Sequence, residues 1–342
     1  MSLISYRNEA KYLTAYGQLI QHLYAAHPKV VESKLREVRR AFNSRNPFRK
    51  HGTYQNFLLV VRNKAVAHVS ACTDARLPEG VGLVGYFESL NRNEYAHHIM
   101  EASRVYLAKH RVNVIRGPIN LSTWHSFRVS YPEANAPYFL EPFTRSYYKR
   151  MFEGYGFHVA YRGVSAIQEV EKTGLGGYRT SFLRLKDEGF TFRLVDNTTL
   201  RSVLEDIHRL SCEIFQDTWT FSKITLEEFL YLFGDMSKLK RCPLIVAAYH
   251  PDGRAIGFIF GAQDAYSRRI NRVVLKTLGV HPAYRGLGIG RALLYMAYQT
   301  AVASGAAQCI FSTIRTDNMS IFKLIKSDNP IYRHYEAYEI RT

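Results

Sequence analysis

Apolar residues near the start of the chain recur at helical spacing. Leu13, Tyr16, Leu19, Ile20 and Leu23 share one face, so residues 8–44 predict helix, interrupted at Pro28, with a second helix carrying a basic run. The period then shortens. Residues 56–62 (NFLLVVR) and 65–72 (AVAHVSAC) flank Asn63-Lys64 and predict a strand pair, and 82–88 (GLVGYFE) predicts another strand. Asn93 stands where it can cap a helix reaching about His110, with Ile99, Ala102, Val105 and Tyr106 in step with a helical turn. A strand over 112–116, a short helix over 147–153 ended by Gly154 or Gly156, and a strand over 158–168 close this half.

Residues 174–177 (GLGG) are the most glycine-dense break between patterned regions, and they predict a turn. They set a domain boundary between about 172 and 190, giving expected domains of 1–175 and 176–342. Beyond it the order repeats. Helices are predicted over 200–215 and 226–234, then strands over 243–249 and 254–260 around Asp252-Gly253, a tight-turn dipeptide. A strand over 271–280 leads through a glycine-rich turn into a helix over 291–304, with Gly305 as its stop. A strand over 308–314, a short helix opening at Asn318 and a strand over 332–340 follow. Ile115-Arg116 with Asn120 and Ser122, and Ile314-Arg315 with Asn318 and Ser320, stand at matching places in the two halves. The echo points to an internal duplication of an α/β unit.

Composition narrows the class. With 342 residues, 46% of them hydrophobic and 22% charged, the chain has the material for two packed cores, which excludes a disordered or fibrous protein. Cys72, Cys212, Cys242 and Cys309 form no CxxC pair, so neither a zinc site nor a disulfide framework is expected, and a reducing, cytoplasmic location fits. No apolar run reaches the ~18 residues of a membrane span, and the N-terminal segment has no apolar signal core. The net charge of +17 is uneven: the first 180 residues hold 25 basic and 13 acidic side chains, densest over 34–50 (KLREVRRAFNSRNPFRK). Such an excess suits an anionic partner, whether nucleic acid, membrane surface, phosphorylated cofactor or acidic carrier protein; the alternative is a solvated surface. No nucleic-acid-binding motif accompanies the run, which argues against nucleic acid.

The chemistry concentrates in residues 278–292 (LGVHPAYRGLGIGRA). A strand enters a loop with glycines at 286, 288 and 290, and a helix leaves it at once, which gathers backbone amides and a helix N-terminus around one point. Glycine there lets a ligand approach the backbone, and Arg285 and Arg291 add positive charge. The loop lacks the Gly-Lys-Ser/Thr ending of a P-loop and the spacing of a dinucleotide fingerprint.

The segment Arg285-Gly286-Leu287-Gly288-Ile289-Gly290 resembles the pyrophosphate-binding motif of the GNAT acyltransferases, Arg/Gln-x-x-Gly-x-Gly/Ala, and Leu278-Gly279-Val280-His281-Pro282 resembles that family's strand lead-in. Asn46-Pro47-Phe48, Gly85-Tyr86-Phe87-Glu88, Gly117-Pro118-Ile119-Asn120, Tyr147-Tyr148 and Gly156-Phe157 extend the resemblance to bacterial proteins with two GNAT-like domains in tandem. It implies two α/β domains, each a mixed, mostly antiparallel sheet with splayed central strands flanked by helices.

The resemblance also implies acetyl-CoA or another acyl-CoA as co-substrate of an N-acyltransferase with no metal. Pyrophosphate would lie on amides from Leu287 to Arg291, including Gly288, Ile289 and Gly290, beside Arg285 and Gly286; the pantetheine arm would pair with Leu278 and Val280, with Asn318 as a further contact or a helix cap. Family members commonly place a tyrosine acid where this chain has Ile325, so Tyr332 and Tyr335 become the candidate acids. Glu227 is the candidate base, with Glu213, Asp217 and Glu228 nearby, and Trp219 and Phe221 are candidate acceptor-pocket residues. The first half has no such loop and is expected to be a degenerate copy. The acceptor is expected to be an amine, with an amine on an acidic protein as one option. Two rival expectations are a non-catalytic CoA-binding or protein-interaction module, and an N-acyltransferase that uses an acyl carrier protein.

Overall fold

Alternating strands and helices of both halves condense into one sheet. The computed structural model describes residues 1–170, 175–238, 244–267, 269–318 and 330–342. The first half runs β1 (Ser2–Tyr6), α1 (Ala10–Leu23), α2 (Pro28–Ala41), β2 (Gly52–Val61), β3 (Lys64–Asp74), β4 (Val81–Ser89), α3 (Asn93–Lys109), β5 (Val114–Gly117), β6 (Val129–Tyr131), α4 (Tyr148–Tyr155) and β7 (His158–Glu169). The second half runs α5 (Gly176–Asp187), β8 (Thr191–Leu194), α6 (Leu200–Ile214), α7 (Leu226–Phe233), β9 (Leu244–Tyr249), β10 (Ala255–Gln263), β11 (Arg272–Val280), α8 (Ile289–Ala303), β12 (Gln308–Arg315) and β13 (Ile331–Arg341). Apart from α5, β6 and the undescribed 319–329, the two orders match element by element. The short helix expected from Asn318, including Ile325, and Cys242 lie outside the described residues.

Four elements escaped the sequence pattern, among them β6, which is only three residues long. β1 and β8 are short edge strands with mostly exposed side chains, so neither carries a clean alternation. α5 begins at Gly176, inside the stretch expected to be a turn, because Leu185 and the partly buried Tyr178 and Phe182 pack it against α8. Arg92, not Asn93, holds the N-cap position of α3, and Asn93 is its first helical residue. Gly156 does end α4, in the left-handed conformation at φ 107°.

The strand order is β1-β2-β3-β4-β5-β13-β7-β12-β11-β10-β9-β8, with β6 attached to β13. The last strand of each half therefore lies beside the other half. β13 pairs with β5 from Tyr338–Gly117 to Arg341–Val114, and β7 pairs with β12 from Gln308–Glu169 to Arg315–Gly163. β13 and β7 also pair with each other along their length. Helices cover both faces. In the first half α1 and α2 pack on one side and α3 and α4 on the other; in the second, α6 and α7 face α5 and α8 across the sheet.

β13 is central, and its side chains show it: Arg333, Tyr335, Ala337 and Tyr338 are each 0% exposed. A chain ending at residue 329 lacks this strand, leaving β5 and β7 without their common neighbour. We expect such a chain to lose the single cooperative unfolding transition of the full protein in thermal denaturation followed by circular dichroism. A sharp transition at the full-length midpoint would contradict this arrangement.

Candidate active site between parting strands

In each half two parallel strands pair briefly and then part. β4 and β5 pair from Val81–Val114 to Leu83–Arg116, and β11 and β12 from Arg272–Gln308 to Leu275–Phe311. The first gap is closed by the chain itself. Ile119 N–H donates to Val84 O at 2.8 Å, and Tyr86 N–H donates to Asn120 Oδ1 at 2.6 Å. A Cβ at Gly85 would stand 2.0 Å from Ile119 O, so only glycine admits this close approach. The backbone groups that a ligand arm would need on β4 are already paired.

The second gap stays open. Lys276, Thr277 and Leu278 on β11, and Ser312, Thr313 and Ile314 on β12, line a cavity of about 880 Å³. Both halves wall it. α2 and the segments 118–128 and 139–144 contribute from the first half; α6, α7, β10, β11 and β12 contribute from the second. Aromatic side chains stand in its wall. Trp219 and Phe221 line it, joined by Trp124, whose indole N–H donates to Ser222 O at 2.8 Å. Asn318, the last described residue before 330, lines it too.

Beyond the open end of the gap, the chain leaves β11 at Val280 and turns through the glycine loop into α8. Gly286 and Gly288 take φ values of +85° and +89°, the left-handed conformation that L side chains resist, and Gly288 is the N-cap of α8. The first amides of a helix have no intrahelical acceptor, so Ile289, Gly290 and Arg291 offer theirs at the loop. Arg285, Leu287 and Arg291 are exposed, and Arg285 Nε donates to Val280 O at 3.2 Å. α5 adds a cation that the motif does not contain: Arg184 Nη2 donates to Leu287 O at 2.5 Å and Nη1 pairs with Glu188. A glycine loop, helix amides and arginines thus meet at one place, a combination that suits an anion such as phosphate.

Two ionisable groups that line the cavity were not singled out from the sequence. Lys276 Nζ donates to Leu140 O at 2.9 Å; burial, then the nearby Arg128, lower its pKa to about 7, while Glu141 pulls the other way. A lone lysine within the apolar run VVLKTLGV was the available signal. His125 Nδ1 lies 3.0 Å from Ser122 Oγ, and burial, then Arg40 and Arg76, lower its pKa to about 4, so it is neutral near pH 7.

The expected acid and base residues are placed elsewhere. Glu227 is exposed and pairs with Lys50 at 2.5 Å, outside the cavity. Its neighbour Glu228 is buried, but it binds Arg76 at 2.8 Å and faces His51 at 3.1 Å. Tyr332 donates its hydroxyl to Ala136 O at 2.7 Å, away from the gap. Tyr335 is 0% exposed, and its hydroxyl lies within a buried cluster with Tyr138, Ser165 and Glu141. Helical and strand periodicity placed these residues on elements, but cross-strand pairing decided where their oxygens point.

Residues 204–326 match the family model described as the acetyltransferase (GNAT) family, so the second half carries a GNAT domain. The whole chain has the tandem GNAT fold. A tandem GNAT protein from the clavulanic acid biosynthesis pathway superposes with a TM-score of 0.62 at 11% identity, covering 99% of this chain and 98% of its own. A GCN5-related N-acetyltransferase from Sphaerobacter thermophilus gives 0.55 at 13% identity over 99% and 95% of the two chains. A conserved Enterococcus faecalis protein, titled a probable N-acyltransferase, gives 0.59 at 9% identity over 100% and 73%. At these identities the likeness is one of fold. A sequence search of curated proteins finds no match.

The floor of the cavity depends on a buried ion pair that joins the halves. Arg333 Nε on β13 lies 2.5 Å from Glu141 Oε1, and Tyr335 donates to the same oxygen at 2.7 Å. Both Arg333 and Glu141 have fully buried side chains, and burial raises the Glu141 pKa against the pull of Arg333. Removing the arginine leaves a carboxylate buried beside Tyr335 without its cation. The R333M variant should therefore lose about 3–5 kcal/mol of unfolding free energy in urea titration. A loss under about 1 kcal/mol would show that the pair does not hold this floor.

Proposed function

We propose that the protein is an acyl-CoA-dependent N-acyltransferase with one active site, in the second half, between β11 and β12. The single observation that carries this reading is the open gap past Leu275–Phe311, which lines a cavity walled by both halves and lies on the strand that leads through Val280 to the exposed glycine loop at the start of α8. In this reading the amides from Leu287 to Arg291, with Arg285 and Arg184, hold the pyrophosphate. The backbone of Leu278 and Val280 orients the pantetheine arm, and the acyl group lies near Lys276, where the strands rejoin. The first half supplies walls and floor but no second coenzyme site, because its own chain fills the equivalent gap.

The acceptor in this reading is an amine on an apolar or aromatic body. Support comes from the cavity's volume and from Trp124, Trp219 and Phe221 along its wall. Attack on the thioester requires the acceptor as a free amine, so a proton must leave it before or during bond formation. The sequence-level candidates Glu227, Tyr332 and Tyr335 are not placed to move that proton, whereas Lys276 lies at the inner end of the gap.

Isothermal titration of the full chain with acetyl-CoA should give a stoichiometry of one. The G288V variant places a β-branched residue at a left-handed N-cap, with its Cβ 3.4 Å from Ser181, and should weaken binding at least tenfold, about 1.4 kcal/mol. Two bound equivalents would contradict the single site. Unchanged affinity in the variant would contradict the loop assignment.

A further inference from the structure

β11 is apolar over Val273–Leu275, where it pairs with β12, and its next residue is Lys276. Lys276 therefore stands in the first row past the last strand pairing, at the closed end of the gap, and lines the cavity. Leu278 and Val280 pack on the core beneath α8, and a β-bulge, where Thr277 faces Phe260 and Leu275 faces Gly261, sets Lys276 off that alternation and toward Leu140. An arm running along the strand from Val280 past Leu278 comes next to Lys276, which lines the cavity with Leu278.

Charged and titratable groups face the Nζ from several elements. Arg128, in the segment before β6, disfavours its protonation, and Glu141, in the segment before α4, favours it. Behind Glu141 stand Arg333 and Tyr335 of β13, and Arg128 is itself held by Tyr161 at 2.8 Å. The one hydrogen-bond partner recorded for Nζ among the described residues is a carbonyl, Leu140 O. A neutral amine still donates to a carbonyl, though more weakly than an ammonium, so this contact does not require the charged form.

We propose that Lys276 is a self-acylation site: with no acceptor amine in the cavity, its Nζ takes the acyl group from acyl-CoA bound in the gap. The inference rests on the acyl-CoA site proposed above. The lone pair of the neutral amine forms the N–C bond at the thioester carbonyl, and the C–S bond breaks with its electrons on sulfur. The proton shed by nitrogen ends on that sulfur, directly or through water. The products are an Nε-acyl-Lys276 amide and free CoA thiol, so the atoms balance without a further reactant.

Selectivity follows from the protonation state. At pH 7 an exposed lysine is neutral in only about one molecule in a few thousand, whereas a group titrating near 7 is about half neutral, an advantage of roughly a thousandfold. The full chain is incubated with acetyl-CoA alone between about pH 6 and about pH 9, and acetylation is followed by intact mass and peptide mapping. One acetyl group per chain should appear, mapped to Lys276, with a rate that rises with pH and levels off above about pH 8. K276R should lose the mapped acetyl group. R128Q, which removes the cation that disfavours protonation, should move the rate midpoint to higher pH and keeps the test open if K276R fails to fold. Acetyl-CoA binding without modification, or acetyl groups scattered over exposed lysines with Lys276 untouched, would overturn the inference while leaving the coenzyme site standing. Failure of acetyl-CoA to bind at all in titration would overturn both.

Discussion

The structure depends on the exchange of closing strands between its halves. β13 fills the place beside β5, β7 fills the place beside β12, and the two pair with each other, so the sheet has no interior edge. A parallel pair that parts midway would otherwise expose unpaired backbone groups on both diverging strands. The exchange secures the outer flank of each such pair. It also brings Tyr335, Arg333 and Glu141 together under the open gap of the second half. The cavity thus belongs to neither half alone.

The same element order meets two fates at the gap. In the first half, residues 118–120 turn back into the space, and Gly85 is the position that lets them in. In the second, the chain at the corresponding place leaves β12 through Thr316 and Asn318, and the space remains a cavity. Two units of matching element order thus differ at the gap through a local change in a strand exit. Calling the first half degenerate because it lacks the glycine loop is therefore only part of the account. Its gap is occupied by its own backbone as well.

Much of the fold was legible in the sequence because it rests on local periodicity. The paired runs around Asn63-Lys64 and Asp252-Gly253, the strand leading into the glycine loop and the helices α3 and α8 all emerged from spacing. The failures share a cause. β1 and β8 are edges whose exposed residues carry no alternation, and α5 is held by packing on α8 in spite of two glycines. At the site, the loop could be recognised because glycine and arginine spacing encodes it. The acid and base candidates could not, because the pairing of β13 turns Tyr335 into a buried cluster and leaves Tyr332 on Ala136 O.

The charge excess also reads differently in three dimensions. Within the basic run, Lys34 pairs with Glu88, Arg36 with Glu32, Arg40 with Asp235 and Lys50 with Glu227, and Arg40 also donates to Leu232 O. Arg40 and Lys50 bind residues of the second half, and with Arg76 on Glu228 they form the seam above the cavity. Part of the run that suggested an anionic partner thus serves to join the halves. The most direct test of the account is a crystal of the full chain soaked with acetyl-CoA. Density should run from the loop at Arg285–Arg291 along Val280 and Leu278, with the thioester beside Lys276, and none should lie between β4 and β5. Coenzyme density in the first half, or away from the gap between β11 and β12, would contradict it.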